Sequence, residues 1–352
     1  MLRTLAALLA STLLTLSAVE VLIRWQWIPQ PPFLDSTGWW REQFIRKGPG
    51  PRPAEFPIVA RVDPELGWRA APGLDEVLLA GARVSTNSLG WRGKREVPLE
   101  RMPGVRRIVA IGDSFTFGQC VDDHETFPAR LEQRLPDTEV LNLGVMGYGH
   151  GQMLLRLERD GLPYRPDAVL LGFHVVDIPR NQLSFREYPK PRFRLREGKL
   201  VLGNVPVPGM EEVRRSLRWQ PRVVNYALMM RDRLLAARRE RAGETLTQAI
   251  VVEMATVARA AGARFALVYL PVLEDLERDE PQPVPLVAKL CEREDLLCIS
   301  PIRRLREKLG PRRGRHFKCH YSPRVQALIA DEIAEALVRA DLLPDAPRST
   351  GP

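Results

Sequence analysis

A serine at the end of an apolar run and a histidine near the C-terminus are the residues of this chain whose types and placement could do chemistry. The run is Arg106-Arg-Ile-Val-Ala-Ile-Gly-Asp-Ser-Phe-Thr-Phe-Gly118, in which a β-branched stretch breaks into Gly-Asp-Ser and a glycine-punctuated turn. Such a stretch suits a buried parallel strand. A hydroxyl just past its carboxyl end lies where open α/β sheets place their chemistry, which makes Ser114 the first candidate nucleophile. Gly-Asp-Ser also occurs in ordinary turns, where Asp and Ser bond local backbone. A serine nucleophile further needs a base for its proton and donors for the developing oxyanion. His320-Tyr-Ser-Pro323, ahead of an amphipathic helix over Arg324 to Leu342, offers the base. His124 in an acidic turn, His150 at a helix start and His316 among arginines read as structural.

The elements that must position this pair are legible as β/α alternation from residue 106. Strands are predicted at 107–111, 139–143, 168–174, 264–270 and 297–299, with helices at about 125–135, 150–160, 246–261 and 285–293 and a last helix before the C-terminus. Val140-Leu-Asn-Leu-Gly-Val-Met-Gly-Tyr-Gly149 runs a second strand into a glycine-rich loop, and Ala168-Val-Leu-Leu-Gly-Phe-His-Val-Val-Asp177 ends a third in polar residues. This order, serine first and histidine last before a final helix, resembles the SGNH, or GDSL, family of serine esterases and acyltransferases. Asp63-Pro-Glu-Leu-Gly-Trp68, Asn87-Ser-Leu-Gly-Trp-Arg92 and Glu125-Thr-Phe-Pro128 resemble its membrane-linked bacterial branch, so the likeness covers roughly residues 60–340.

The resemblance implies a three-layer α/β/α domain around a parallel sheet, flavodoxin-like in kind. It also implies an oxyanion site made by the N–H of Ser114, the N–H of Gly144 and a third donor. Relatives supply an asparagine there. This chain has Val176-Asp177 at one alignment and His174 at the other, with Asn181 a further turn along. Asp113 and Asp177 read as supporting carboxylates. The acid that relatives place two or three residues before the histidine is replaced by Lys318 and Phe317.

Composition fits a folded enzyme: 352 residues, 45% hydrophobic and 27% charged, with a net charge of +9. The arginines are dispersed and carry no nucleic-acid-binding signature, so the basic balance points to a membrane surface or an anionic polymer rather than nucleic acid. Leu5 to Ile23 is almost wholly apolar and followed by Arg24-Trp-Gln-Trp, which reads as a membrane anchor with Trp25 and Trp27 at the interface. A cleaved signal peptide is the rival, disfavoured because Leu16-Ser-Ala18 puts a large residue where cleavage wants a small one. Four cysteines suit disulfides in an exported body. Cys120–Cys319 is the expected pair, because both flank the catalytic residues, leaving Cys291–Cys298 as the second. No CxxC pattern suggests a metal, and no cofactor is expected.

Residues 1–27 thus form the anchor or signal peptide, 28–60 a Pro/Gly-rich linker, 61–104 a small β-rich appendage and 105–345 the hydrolase domain. An insert at about 182–245 holds a hairpin over 190–207 and a helix over Pro221 to Arg241. That helix has Val224, Leu228, Leu234 and Leu235 as its apolar face, and reads as a rim helix, a lid or a membrane contact. The function expected is an exported serine esterase that removes acyl groups, with acetyl foremost, from a glycan or small ester. The alternatives are an O-acyltransferase of a cell-envelope polysaccharide, or a degenerate relative that binds glycan or a partner protein.

Overall fold

The computed structural model describes residues 1–49, 56–280, 282–292, 296–318 and 320–341. The chain opens with α1 (Leu2–Arg24), the one helix among the described residues long and apolar enough to cross a membrane. At about 1.5 Å per residue its 23 residues reach across a hydrocarbon layer of about 30 Å. The stretch predicted as a linker contains α2 (Thr37–Lys47), which buries Trp40 and Phe44. Its prolines lie outside the helix, Gly38 in its first turn packs against the Asn225 carbonyl of a neighbouring helix, and Ser36 caps it by accepting from the Trp39 N–H.

The appendage follows as α3 (Phe56–Val59) and two antiparallel hairpins, β1 (Ala60–Asp63) with β2 (Gly67–Ala70) and β3 (Val77–Leu79) with β4 (Ala82–Val84). The main domain runs β5 (Arg106–Ile111), α4 (Ser114–Phe117), α5 (Phe127–Arg134), β6 (Thr138–Asn142), α6 (His150–Arg156), β7 (Ala168–His174) and α7 (Asp177–Arg180). The insert supplies the hairpin β8 (Arg192–Arg196) and β9 (Lys199–Gly203), then α8 (Met210–Trp219) and α9 (Arg222–Leu234). The chain closes with α10 (Ala236–Ala260), β10 (Arg264–Leu270), α11 (Leu273–Glu277), α12 (Pro285–Cys291), β11 (Leu297–Ile299), α13 (Ile302–Leu309) and α14 (Pro323–Arg339).

Five strands form one parallel sheet in the order β11-β10-β7-β5-β6. All seven residues of β7 are buried, and they alternate between layers. Ala168 and Leu170 join the core that holds α5 and α14, whereas Val169, Leu171 and Phe173 join the core that holds α6 and α10. A strand covered on both faces has no polar side to show, which is why it reads as a continuous apolar run. The connection reverses direction between β5 and β7, and the crevice outside those strand ends is where such sheets bind ligands.

In α9 the predicted face is reversed. Arg222, Asn225, Met229 and Asp232 are buried, whereas Val224 and Leu234 are exposed. The polar residues turn inward because α2 presents Glu42 to them: Arg222 pairs with it at 2.9 Å and Asn225 donates to it at 3.3 Å. A disulfide joins Cys291 to Cys298, with Cα atoms 5.6 Å apart. The expected Cys120–Cys319 pair involves a residue outside those described.

Candidate active site

Ser114 sits at the sheet's reversal point as the first residue of α4. Asp113 caps that helix, its Oδ1 accepting the Phe115 N–H at 2.9 Å. Gly118 ends it in the left-handed region at φ +79. From the appendage, the buried Arg92 donates to the carbonyls of Phe117 and Gly118 at 3.1 Å and of Val121 at 2.7 Å. The turn carrying the serine is thus clasped from outside the sheet.

His320 Nε2 lies 2.9 Å from Ser114 Oγ, a hydrogen bond between a hydroxyl and a ring nitrogen able to take its proton. The residues after the histidine hold it in place: the Tyr321 hydroxyl donates to the Pro271 carbonyl at 2.7 Å, and Ser322 caps α14. Phe115 lies against the His320 ring at 4.6 Å between centroids. For Nε2 to accept from the serine, Nδ1 must carry the ring proton. Nδ1 faces Cys120 Sγ at 3.7 Å. Of the two positions aligned with the relatives' acid, Lys318 is exposed and Phe317 packs edge-on against Tyr321.

The structure separates the glycines. Gly144 donates its N–H to Asn142 Oδ1 at 3.0 Å, and a Cβ there would lie 2.4 Å from the Phe117 nitrogen. It is a close-packing position whose donor is already used. Three residues on, Gly147 adopts φ +80 and lines the cavity that holds Ser114 and His320. Neither its N–H nor that of Ser114 meets an acceptor among the described residues. The sequence points to Gly144 because Asn142-Leu-Gly144 has the glycine expected after the strand, whereas the glycine that lines the cavity is Gly147. The available signal was that an asparagine readily bonds the backbone two residues on.

Neither candidate for the third donor reaches the cavity wall. Asn181 gives its amide hydrogens to His150 Nδ1 at 3.1 Å and Thr247 Oγ1 at 2.7 Å. Its oxygen accepts the Gly151 N–H at 3.3 Å. His174 stacks on Phe115 at 4.0 Å, its Nδ1 accepts the Val176 N–H at 3.4 Å, and its buried Nε2 meets no partner. Instead, Arg180 of α7 lines the cavity. Its Nη1 donates to Asp113 Oδ2 at 3.3 Å, to the Tyr148 carbonyl at 3.0 Å and to Asp177.

Burial and the Asp113 charge push the Asp177 carboxyl well above the usual range. Burial would raise Asp113 too, but attraction to His174 and Arg180 and the Phe115 N–H hold it below its ordinary value. The cavity itself measures about 340 Å³. Its apolar wall is formed by Phe56, Val59, Trp68, Leu79, Val145 and Met146. Among the described residues, no group of three His, Cys, Asp or Glu side chains is placed to hold a metal.

Burial also pushes two histidines down, His174 to about 4 and His150 to about 3. Both are neutral when folded, while an unfolded histidine takes a proton near pH 6.5. Between these values the unfolded chain binds more protons, so stability falls as the pH drops from about 6.5 toward 4. Melting temperatures across that window are expected to fall for the native chain and to fall less steeply for His174→Phe. Parallel curves would show that the ring titrates alike in both states.

A model of the GDSL-like lipase/acylhydrolase family matches residues 110–287, a span that includes Ser114 and Gly147 and ends before His320. No curated protein matches the chain at a significant level. Among solved structures, an acetyl xylan esterase is 15% identical over 66% of this chain and 99% of its own, with a TM-score of 0.40. A psychrotrophic esterase from a Pseudoalteromonas species is 15% identical over 67% and 98%, with a TM-score of 0.38. A GDSL-like lipase from Bacteroides thetaiotaomicron is 14% identical over 67% and 89%, with a TM-score of 0.37.

Proposed function

The chain belongs to the GDSL-like lipase/acylhydrolase family, and from that premise we propose that it is an exported, membrane-anchored serine esterase removing short acyl groups from a glycan or small ester. The observation that carries the reading is the 2.9 Å contact between His320 Nε2 and Ser114 Oγ. Export is supported by α1 and by the Cys291–Cys298 disulfide. A cavity of about 340 Å³ walled by apolar side chains together with Arg69, Arg180, Arg186 and Glu187 supports a short acyl group on a polar alcohol over a long acyl chain.

In this mechanism His320 takes the Ser114 proton as Oγ bonds to the ester carbonyl carbon, whose π electrons move onto oxygen. The N–H groups of Ser114 and Gly147 receive that oxyanion, and the Arg180 guanidinium adds positive charge beside it. His320 returns the proton to the departing alcohol as the C–O bond breaks, leaving an acyl-serine. Water repeats the sequence, giving its proton to His320, and Ser114 leaves with that proton restored. A sugar hydroxyl in the place of water would make the same site a transferase, and product analysis with an acceptor sugar distinguishes the two.

A serine-directed fluorophosphonate tests the assignment on the full chain in detergent. The adduct is expected on the peptide containing Ser114, together with loss of p-nitrophenyl acetate hydrolysis. An adduct on another serine, or hydrolysis that survives complete labelling, would overturn it. A folded chain that neither labels nor hydrolyses would mean a binding protein.

A further inference from the structure

A second cavity, of about 440 Å³, opens where α1 ends. Six cations line it: Arg24 from the last turn of α1, Arg46 and Lys47 from α2, and Arg214, Arg218 and Arg222 from α8 and α9. Three carboxylates partner them. Glu20 holds Arg24 at 2.7 Å, Glu42 holds Arg46 at 2.7 Å and Arg222 at 2.9 Å, and Glu211 holds Arg214 at 3.0 Å. Lys47 and Arg218 have no ion pair among the described residues, and the buried Nε of Arg222 has no hydrogen-bond partner. Six positive charges against three negative ones among the described residues leave the walls strongly cationic.

The cavity's position tells what it faces. Glu20 accepts the Val223 N–H at 2.9 Å, and Arg24 reaches the Gln220 carbonyl at 3.5 Å, so the end of α1 is fastened to the start of α9. With α1 spanning the hydrocarbon, Arg24 stands at the depth of the lipid headgroups. Exposed tryptophans follow two of the cavity's cations, Trp25 after Arg24 and Trp219 after Arg218, with Trp27 beside the first. Tryptophan favours that same boundary between hydrocarbon and water.

We propose that this cavity binds the phosphate of an anionic membrane lipid, seating the soluble domain against the bilayer at a fixed depth. The shared chemistry is that of a phosphate oxyanion met by guanidinium donors, and the lipid is the source to which the position commits. The proposal rests on the reading of α1 as a membrane span. That reading has its own test, since a spanning chain stays with membranes through a carbonate wash.

The experiment uses the full chain in neutral detergent and native mass spectrometry, titrating dioctanoyl phosphatidylglycerol against dioctanoyl phosphatidylcholine. Phosphatidylglycerol is expected to bind at least about tenfold more tightly. Lys47→Ala/Arg218→Ala, which strips no carboxylate of its partner, is expected to weaken phosphatidylglycerol binding by about thirtyfold, in line with the weight of two cations at an anionic surface. Hydrolysis of a soluble ester should be unchanged, which shows that the variant is folded. Equal binding of the two lipids, or unaltered phosphatidylglycerol binding in the double variant, would overturn the proposal. Displacement of the lipid by inorganic phosphate at equal concentration would overturn the lipid as source and leave a site for soluble phosphate.

Discussion

Replacing Ser114 by alanine is expected to lower kcat for p-nitrophenyl acetate by about 10⁴ to 10⁶, the scale seen when a hydroxyl nucleophile is removed from a Ser–His site. The fold should scarcely register the change. Oγ contributes one hydrogen bond, to His320, worth about 1 kcal/mol. In a chain of this size that corresponds to a few degrees in Tm at most. His320→Ala should cost a comparable factor, and the double variant should be no worse than either single, because the two side chains act as one unit. A loss below tenfold in Ser114→Ala, or full additivity in the double variant, would place the chemistry elsewhere.

Gly147→Ala is expected to be the next most damaging change to turnover, at about 10² to 10³ in kcat with KM little altered, as when one oxyanion donor is withdrawn. Two physical causes act together. The residue sits at φ +80, where a side chain costs about 1–2 kcal/mol, and its Cβ would lie 2.5 Å from Glu187 Oε1 and 2.6 Å from Arg186 Nη1. Relief comes by rotating the loop, which reorients the Gly147 N–H within the cavity wall. Gly144→Ala gives the contrast, because its Cβ would meet main chain of α4 at 2.4 Å, so it should lower Tm or yield of folded protein first. Full activity in Gly147→Ala, with a thermally stable Gly144→Ala of low kcat, would return the donor to Gly144.

The central strands of the sheet were legible because they are apolar on both sides. The strand predicted at 168–174 is β7 to the residue, and 264–270 likewise matches β10. Where structure depends on a partner, local pattern misled. Helix α2 lies in the stretch 28–60, whose Pro and Gly content reads as linker, because its stabilisation comes from burying Trp40 and Phe44 against distant elements. Helix α9 buries Arg222, Asn225 and Asp232 beside Met229 and leaves Val224 and Leu234 outside, an arrangement that follows from Glu42 of α2 lying beneath its start. Within the site, the serine turn and the terminal histidine stand out as motifs. The proposed donors do not, since a backbone N–H belongs to no residue type, and choosing between Gly147 and Gly144 requires knowing where the Asn142 side chain points. Arg180 likewise gains its place only once α7 has folded back over Asp113.

The wall facing the nucleophile comes largely from the small appendage, whose Trp68 donates to the Met146 carbonyl at 2.9 Å and accepts from the Tyr148 hydroxyl at 2.5 Å, on either side of Gly147. On the proposed reading, reactivity and much of the selectivity are encoded in separate stretches of gene. Residues 56–84 can be recombined or diversified around Phe56, Trp68 and Leu79 to reshape what fits, provided the two tethers at Trp68 survive. A library confined to that stretch would sample new substrates against constant chemistry.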